Sequence, residues 1–470
     1  MTTSIWMSAR RGCPLPWRLV VVALVSTGCV GSIERATLRD ADRVEHLLAP
    51  LPADVGESAP RPDLPPARFD GSLQRYQQYA FERSPELRAS FELWRVASFR
   101  PRKVRRLPEM VISYAGFIRS VETRVGPQLH KLGLQQWFPW PTSLTAASDA
   151  EALAARAAQR EFEAHALRIA AEVSVAYWRL WLIARTREVE REQLELLRAT
   201  AEFVRVRVET SAADLSDLTQ LNLRVTRAED KLASLDEDEK AAAASLVRVL
   251  GAPDGTATPI DTATPRVGLP GEDSPTLRLA ATSHPRVQAM ALLSESSEQR
   301  VRQSRADRFP SVGVGVDWII TGAALDPSMP DSGKDAVMGM AAVKVPLSLG
   351  SYGAGEDEAR ARSRMFRARE LAVRNQAIEE LERVLARLRD ADRRVALYET
   401  TMIPLAETSY AAVQSSYQSG RATVAEVLIA ERELLELRLM GLRARVDATV
   451  AWAALEQIVG RPVQPSRESR

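Results

Sequence analysis

The chain has 470 residues, room for more than one ordinary domain, yet aromatics are only 6% and Ala, Leu, Arg and Glu dominate, a composition of long helices rather than of a bulky core. Charged residues make up 26% but nearly cancel to a net charge of +2, which excludes a global basic field for nucleic acid. The two cysteines, Cys13 and Cys29, stand near the N-terminus, and the four histidines (His46, His130, His165, His284) are scattered without ligand spacing. Neither a disulfide framework nor a metal site is expected, and no cofactor motif is present.

Residues 1–28 read as a secretory signal. Arg10, Arg11 and Arg18 precede a short apolar run over 19–25, and Ser26-Thr27-Gly28 lead into Cys29. This resembles a bacterial lipoprotein signal, which implies lipidation of Cys29; the alternative is an ordinary cleaved signal with an incidental cysteine. No apolar run reaches the length of about 18 residues that a membrane helix needs. Residues 50–68 are Pro-rich and read as an extended linker, so a tether occupies 29–71.

A helical pattern begins at Ser72 and carries a break and restart at Ser84-Pro85, since Pro is favoured at a first helical position. Residues 110–118 and 129–138 then read as strands, separated by a loop with Gly126-Pro127 and closed by Pro139-Trp140-Pro141. Each is about ten residues, the span of a tilted strand across a bilayer. From Ala146 to Glu209 neither Pro nor Gly occurs, which predicts a helix of roughly 96 Å at about 1.5 Å per residue. The chain turns over 210–213, and Asp214 is placed to cap a second helix that runs to Leu250.

The second half replays the first. His284-Pro285 opens a helix as Ser84-Pro85 does, Phe309-Pro310 precedes a strand over 312–320, and a second strand follows over 337–347. Gly350, Gly353 and Gly355 mark its exit into a long helix over 356–417, which Pro404 is expected to kink. That helix turns at Ser419-Gly420, where Gly suits a left-handed helix end, and Thr423 with Glu426 has the spacing of a capping box. In the departing helix Leu435, Leu439, Leu442, Val446, Thr449 and Ala453 form one narrow stripe for a neighbouring helix. The two turns correspond, Arg207 to Asp214 matching Tyr417 to Val424, and both following helices end alike, at Leu250-Gly251 and Val459-Gly460.

The order of elements, the passage VPLSLGSYGAGEDEARAR and the passage YQSGRATVAEVLIAERELL resemble the TolC-like outer-membrane efflux protein family, with the lipoprotein signal resembling its lipoprotein subclass. The first repeat departs from that pattern in lacking the usual glycine at its turn. The expected fold is mainly α with a small β portion, a tandem repeat of helix, strand, strand, long helix, turn and helix. Residues 1–28 form the signal, 29–71 the tether and linker, 72–255 repeat one, 256–274 a linker, 275–460 repeat two and 461–470 a tail. Four strands are too few for a closed barrel by themselves, so if they meet lipid several chains must share one. The resemblance implies a homotrimer with a twelve-stranded β-barrel continued by an α-helical barrel. It also implies a periplasmic adaptor and an inner-membrane pump as partners, membrane lipid around the strands, and no nucleic acid.

The chain carries no catalytic constellation, and an enzyme is not expected. What the resemblance implies is a passive exit duct of a tripartite efflux or type I secretion system, in the outer membrane with a periplasmic extension. The alternatives are an exported coiled-coil scaffold or a periplasmic adaptor without a channel. On the leading reading Gly420, Arg421, Thr423, Val427 and Leu428 form a periplasmic tip that meets the adaptor, or merely make the turn. Asp214 and Asp217 are candidates for a ring of carboxylates gating the tube, against the plainer role of stabilising a helix N-terminus. Trp137, Trp140 and Trp318 are read either as an interfacial aromatic belt or as ordinary packing.

Overall fold

The computed structural model describes residues 31–48, 68–119, 121–210, 214–265, 268–326, 328 and 330–466. The signal over 1–28, Cys29 and most of the Pro-rich linker lie outside the described residues.

In chain order the elements are α1 (Ser32–Glu45), α2 (Leu73–Arg83), α3 (Pro85–Val104), β1 (Val111–Gly116), β2 (Gln128–Phe138), α4 (Pro141–Glu209) and α5 (Leu215–Leu250). The second set is α6 (Ser274–Thr282), α7 (Pro285–Ala306), β3 (Ser311–Thr321), β4 (Ala336–Lys344), α8 (Leu349–Leu397), α9 (Ile403–Gln418) and α10 (Val424–Val459). Ser84 accepts from the Leu87 amide and Pro85 takes the first helical position of α3, so the break there is a capped restart. Pro141 does the same for α4, which starts earlier than Ala146 and runs for 69 residues, or on the order of 100 Å.

Four expectations change in the structure. Asp214 stands at the N-cap of α5 in extended conformation, but its side chain accepts no capping hydrogen bond. Gly350, Gly353 and Gly355 do not form a loop. They lie in the first turns of α8, where a Cβ at Gly350 or Gly353 would meet nothing, and the turns are held by Glu356, which Arg305 and Arg308 of α7 reach at 2.8 and 2.6 Å. Pro404 does not lie inside one continuous α-helix but in the first turn of α9. A π-turn over Tyr398–Met402 precedes it, and that wider turn gives room for the ring and the missing N–H. β4 stops at Lys344, because Pro346 has no donor for the ladder.

α4 and α8 run the length of the body. α4 packs against α3 and α7 towards the strands and against α5 and α10 towards the turns, while α8 packs against α7 and α10. Near the level where α2 meets α5, Tyr76, Leu87, Phe91, Trp94, Phe162, Tyr177, Leu246 and Leu250 form a core. Leu277, Leu381, Leu388, Leu455 and Val459 form its counterpart in the second repeat. On α10 the buried stripe is Leu434, Leu437, Gly441, Ala444, Ala448, Ala451 and Leu455. Leu435, Leu439 and Leu442 of the expected stripe are half-buried beside it, whereas Val446, Thr449 and Ala453 are buried. The helix is turned because it packs on α4, α8 and α9 together rather than on one neighbour.

Candidate functional site

The four strands form one antiparallel sheet in the order β1-β2-β3-β4. The two repeats therefore join through β2 and β3, and β1 and β4 each have an unpaired edge. Register sorts the side chains by face. Leu132 stands opposite Trp318, Leu134 opposite Val316 and Phe138 opposite Val312. Ile112 and Tyr114 of β1 continue that face, as do Val337, Ala341 and Val343 of β4. Apart from His130 and Gln136 of β2 it is apolar across the four strands, and it is uncovered, with Ile112 78% and Val337 71% exposed.

The opposite face is mixed, with its polar groups at the centre of β1, β2 and β3 and apolar residues around them. It carries Ser113, Lys131, Gln135, Asp317, Met338 and Met340. Lys131 Nζ lies 2.7 Å from Asp317 Oδ2. Gly133 lies between Ser113 and Asp317, whose side-chain oxygens would have to move to admit a Cβ. Trp137 lies on this face, its ring over Gly313, and so is not part of a belt on the apolar side. Trp318 and Trp140 stand towards the two ends of the sheet. Trp318 Nε1 donates to Asp335 at 2.9 Å, and Trp140 stacks on Phe309 with ring centroids 4.9 Å apart.

At the far end of the molecule the ends of α4 and α5 pack against those of α9 and α10. Leu194, Leu197, Val204, Leu221, Tyr417, Val424, Val427 and Leu428 form a core that unites both hairpins. Of the expected tip residues, Gly420, Arg421 and Thr423 are exposed, while Val427 and Leu428 are buried. Gly420 has φ 72°, the left-handed conformation that Gly adopts without strain. Thr423 and Glu426 complete the capping box. The bond from the Thr423 amide, then that from its hydroxyl, hold the Glu426 carboxyl below its ordinary range. Ile429, 64% exposed one residue past the expected tip, adds an apolar side chain to this surface; its run of apolar neighbours hid it in the sequence.

Asp214 is exposed and Asp217 half-buried. Asp217 lies near Tyr417, whose ring is covered by the Arg207 guanidinium at 5.4 Å. Further along, Glu431 of α10 is 5% exposed and accepts from Gln193 Nε2 of α4. Burial pushes its carboxyl up to about 7. Among the described residues no cluster of metal-ligating side chains occurs, and no helix is long and apolar enough to cross a membrane.

A four-stranded sheet with one exposed apolar face and two open edges, on helices of about 100 Å, does not close a barrel by itself. Residues 276–461 match the family model described as Outer membrane efflux protein. Over that stretch, the second repeat, the chain is similar to this family. Its fold is similar to that of CusC, at 18% identity, a TM-score of 0.70 and coverage of 83% of this chain and 92% of the other. VceC of Vibrio cholerae is similar at 21% identity and a TM-score of 0.68, over 83% and 96% of the two chains. The MtrE outer-membrane channel of Neisseria gonorrhoeae is similar at 17% identity and a TM-score of 0.67, over 84% and 90%. No curated protein matches the sequence.

Proposed function

We propose that the chain is the exit duct of a tripartite efflux system, a passive channel through the outer membrane that continues into the periplasm on its helices. The observation that carries this is the sheet: largely apolar and exposed on one face, bearing the Lys131–Asp317 pair on the other, and open at both edges. In lipid each unpaired edge group costs several kcal/mol, so the edges must close on further copies. Three copies of the four-stranded sheet give twelve strands, an even number in the bacterial range. A homotrimer of this kind has the Lys131–Asp317 face towards the lumen. The energy for transport comes from an inner-membrane pump reached through a periplasmic adaptor.

On this reading the exposed Gly420, Arg421, Thr423 and Ile429 meet the adaptor, and Val427 and Leu428 hold the surface in shape from beneath. Asp214 and Asp217 stand at the same end and supply carboxylates to its opening. The two repeats, 72–255 and 275–460, each contribute one strand pair and one hairpin. The test is reconstitution of the purified protein in planar bilayers. Trimers that cross-link and conduct ions are expected, with cation selectivity reduced in the Asp214→Ala/Asp217→Ala variant. A monomer without conductance would sink the duct, and unchanged selectivity in the variant would remove the carboxylates from the gate.

A further inference from the structure

The foot of the sheet is unusually cationic. β1 and β3 begin there and β2 and β4 end there, and α3 and α7 deliver the chain to it from below. Residues 100–109 hold five cationic side chains against Glu109 alone, and residues 300–309 hold four against Asp307 alone, in a chain whose net charge is only +2. The two stretches occupy corresponding places in the repeats, each running up to a Leu-Pro or Phe-Pro step before its strand.

Buried carboxylates arrange these arginines without neutralising them. Glu34 of α1, 2% exposed, is shared by Arg102 at 2.9 Å and Arg105 at 3.1 Å. Glu356, whose side chain is 6% exposed, is shared by Arg305 at 2.8 Å, Arg308 at 2.6 Å and Arg360 at 2.5 Å. Arg106 and Arg308 keep 73% and 41% of their side chains in contact with solvent. Directly beyond Phe138 and Val312, the last residues of the apolar face, lies the exposed Trp140–Phe309 stack. Stacked aromatics beside guanidinium groups, at the edge of an apolar band, suit the level of phospholipid headgroups. A guanidinium fork matches two phosphate oxygens, and an anionic lipid answers the surplus charge.

We propose that this arginine collar, with Arg106 and Arg308 among its exposed members, binds anionic phospholipid headgroups at the foot of the barrel. The inference rests on the sheet being the membrane-crossing part. It adds a lipid class and the residues that select it.

The full-length protein, reconstituted into phosphatidylcholine nanodiscs doped with phosphatidylglycerol, is compared with the Arg106→Gln/Arg308→Gln variant. Bound lipid is counted by native mass spectrometry. The wild type is expected to retain phosphatidylglycerol preferentially, and the preference to fall roughly fivefold for each arginine removed and to weaken with added salt. The Arg106→Lys/Arg308→Lys variant, which keeps charge but loses the forks, should lie between. Should the double Gln variant fail to assemble, Arg106→Gln alone gives the reading, because Arg106 makes only one exposed ion pair, 3.4 Å to Glu109. Inserted wild-type protein without lipid preference, or an inserted variant with the same preference, overturns the collar and leaves the duct standing. Protein that does not insert at all overturns both.

Discussion

Glu431 is a carboxylate held where water barely reaches it. Gln193 of α4 donates to it across the two repeats, and with Glu192, Glu407, Tyr410 and Arg438 it lines a cavity of about 270 Å³. Burial raises its pKa to about 7, against the Gln193 bond and the charge of Arg224 on α5. Nearby on α4, burial also raises Glu190, opposed by Lys231, while Arg438 spends its charge on Glu407 at 2.7 Å. Because the folded pKa lies above the unfolded value, the folded protein holds the proton more tightly. Stability is therefore greatest below about pH 4.5 as far as this group is concerned, and is lost as pH rises towards and through about 7. The cost at alkaline pH is on the order of 2–3 kcal/mol. Glu431→Gln should remove this slope. Hydrogen exchange of α9 and α10 between about pH 5 and pH 8 checks it, and parallel profiles for variant and wild type would exclude Glu431 as the cause. Nothing in the local sequence marks this residue. Its burial is made by a helix from the other repeat.

At the scale of elements, the second hairpin divides its labour between surface and core. Arg421 is exposed and its Nε bonds only to Ser419 within the turn, at 3.1 Å, whereas Leu428 is 2% exposed in the shared core. Arg421→Glu is expected to lower cross-linking to the adaptor by about tenfold without disturbing the trimer. Leu428→Ala should instead destabilise the tip by about 2–5 kcal/mol, seen as faster exchange of α9 and α10. Normal adaptor cross-linking in Arg421→Glu would refute the contact. The turn itself was legible, since Gly420, Thr423 and Glu426 make it by local chemistry. The π-turn was not. Pro404 signals a disturbance, but its form depends on Gly441 of α10, where a Cβ would come within 3.3 Å of Ile403 and 3.7 Å of Tyr398. The three glycines after β4 mislead for a similar reason: α8 starts there because Glu356 is anchored by α7.

For the whole molecule, α1 links the foot of the sheet to the N-terminus. Arg102 and Arg105 at the end of α3 clamp Glu34, which holds the first turn of α1, five residues after Cys29, near the level where β1 begins. That position suits a lipid on Cys29 lying in the same membrane. Cys29→Ser should lose metabolic lipid labelling while still forming conducting trimers; continued labelling would place the modification elsewhere or remove it. Closure of the proposed trimer is likewise a property of the whole, because the sheet has two open edges and no further strand of its own among the described residues.

The sequence by itself determined the recurring order of elements, the four strands, the long helices and the turn at Ser419-Gly420. Each of these is written in short-range signals: a period of two or of about 3.6, a Pro before a strand, a Gly or a cap at a helix end. Tertiary structure alone decided which face of the sheet is apolar in register, which stripe of α10 is buried, and that Val427 and Leu428 lie beneath the tip. It alone brought Glu431 to Gln193 and Glu34 to Arg102. These depend on contacts between residues far apart in the chain, and a side chain's burial and charge are set by the neighbours that the fold supplies.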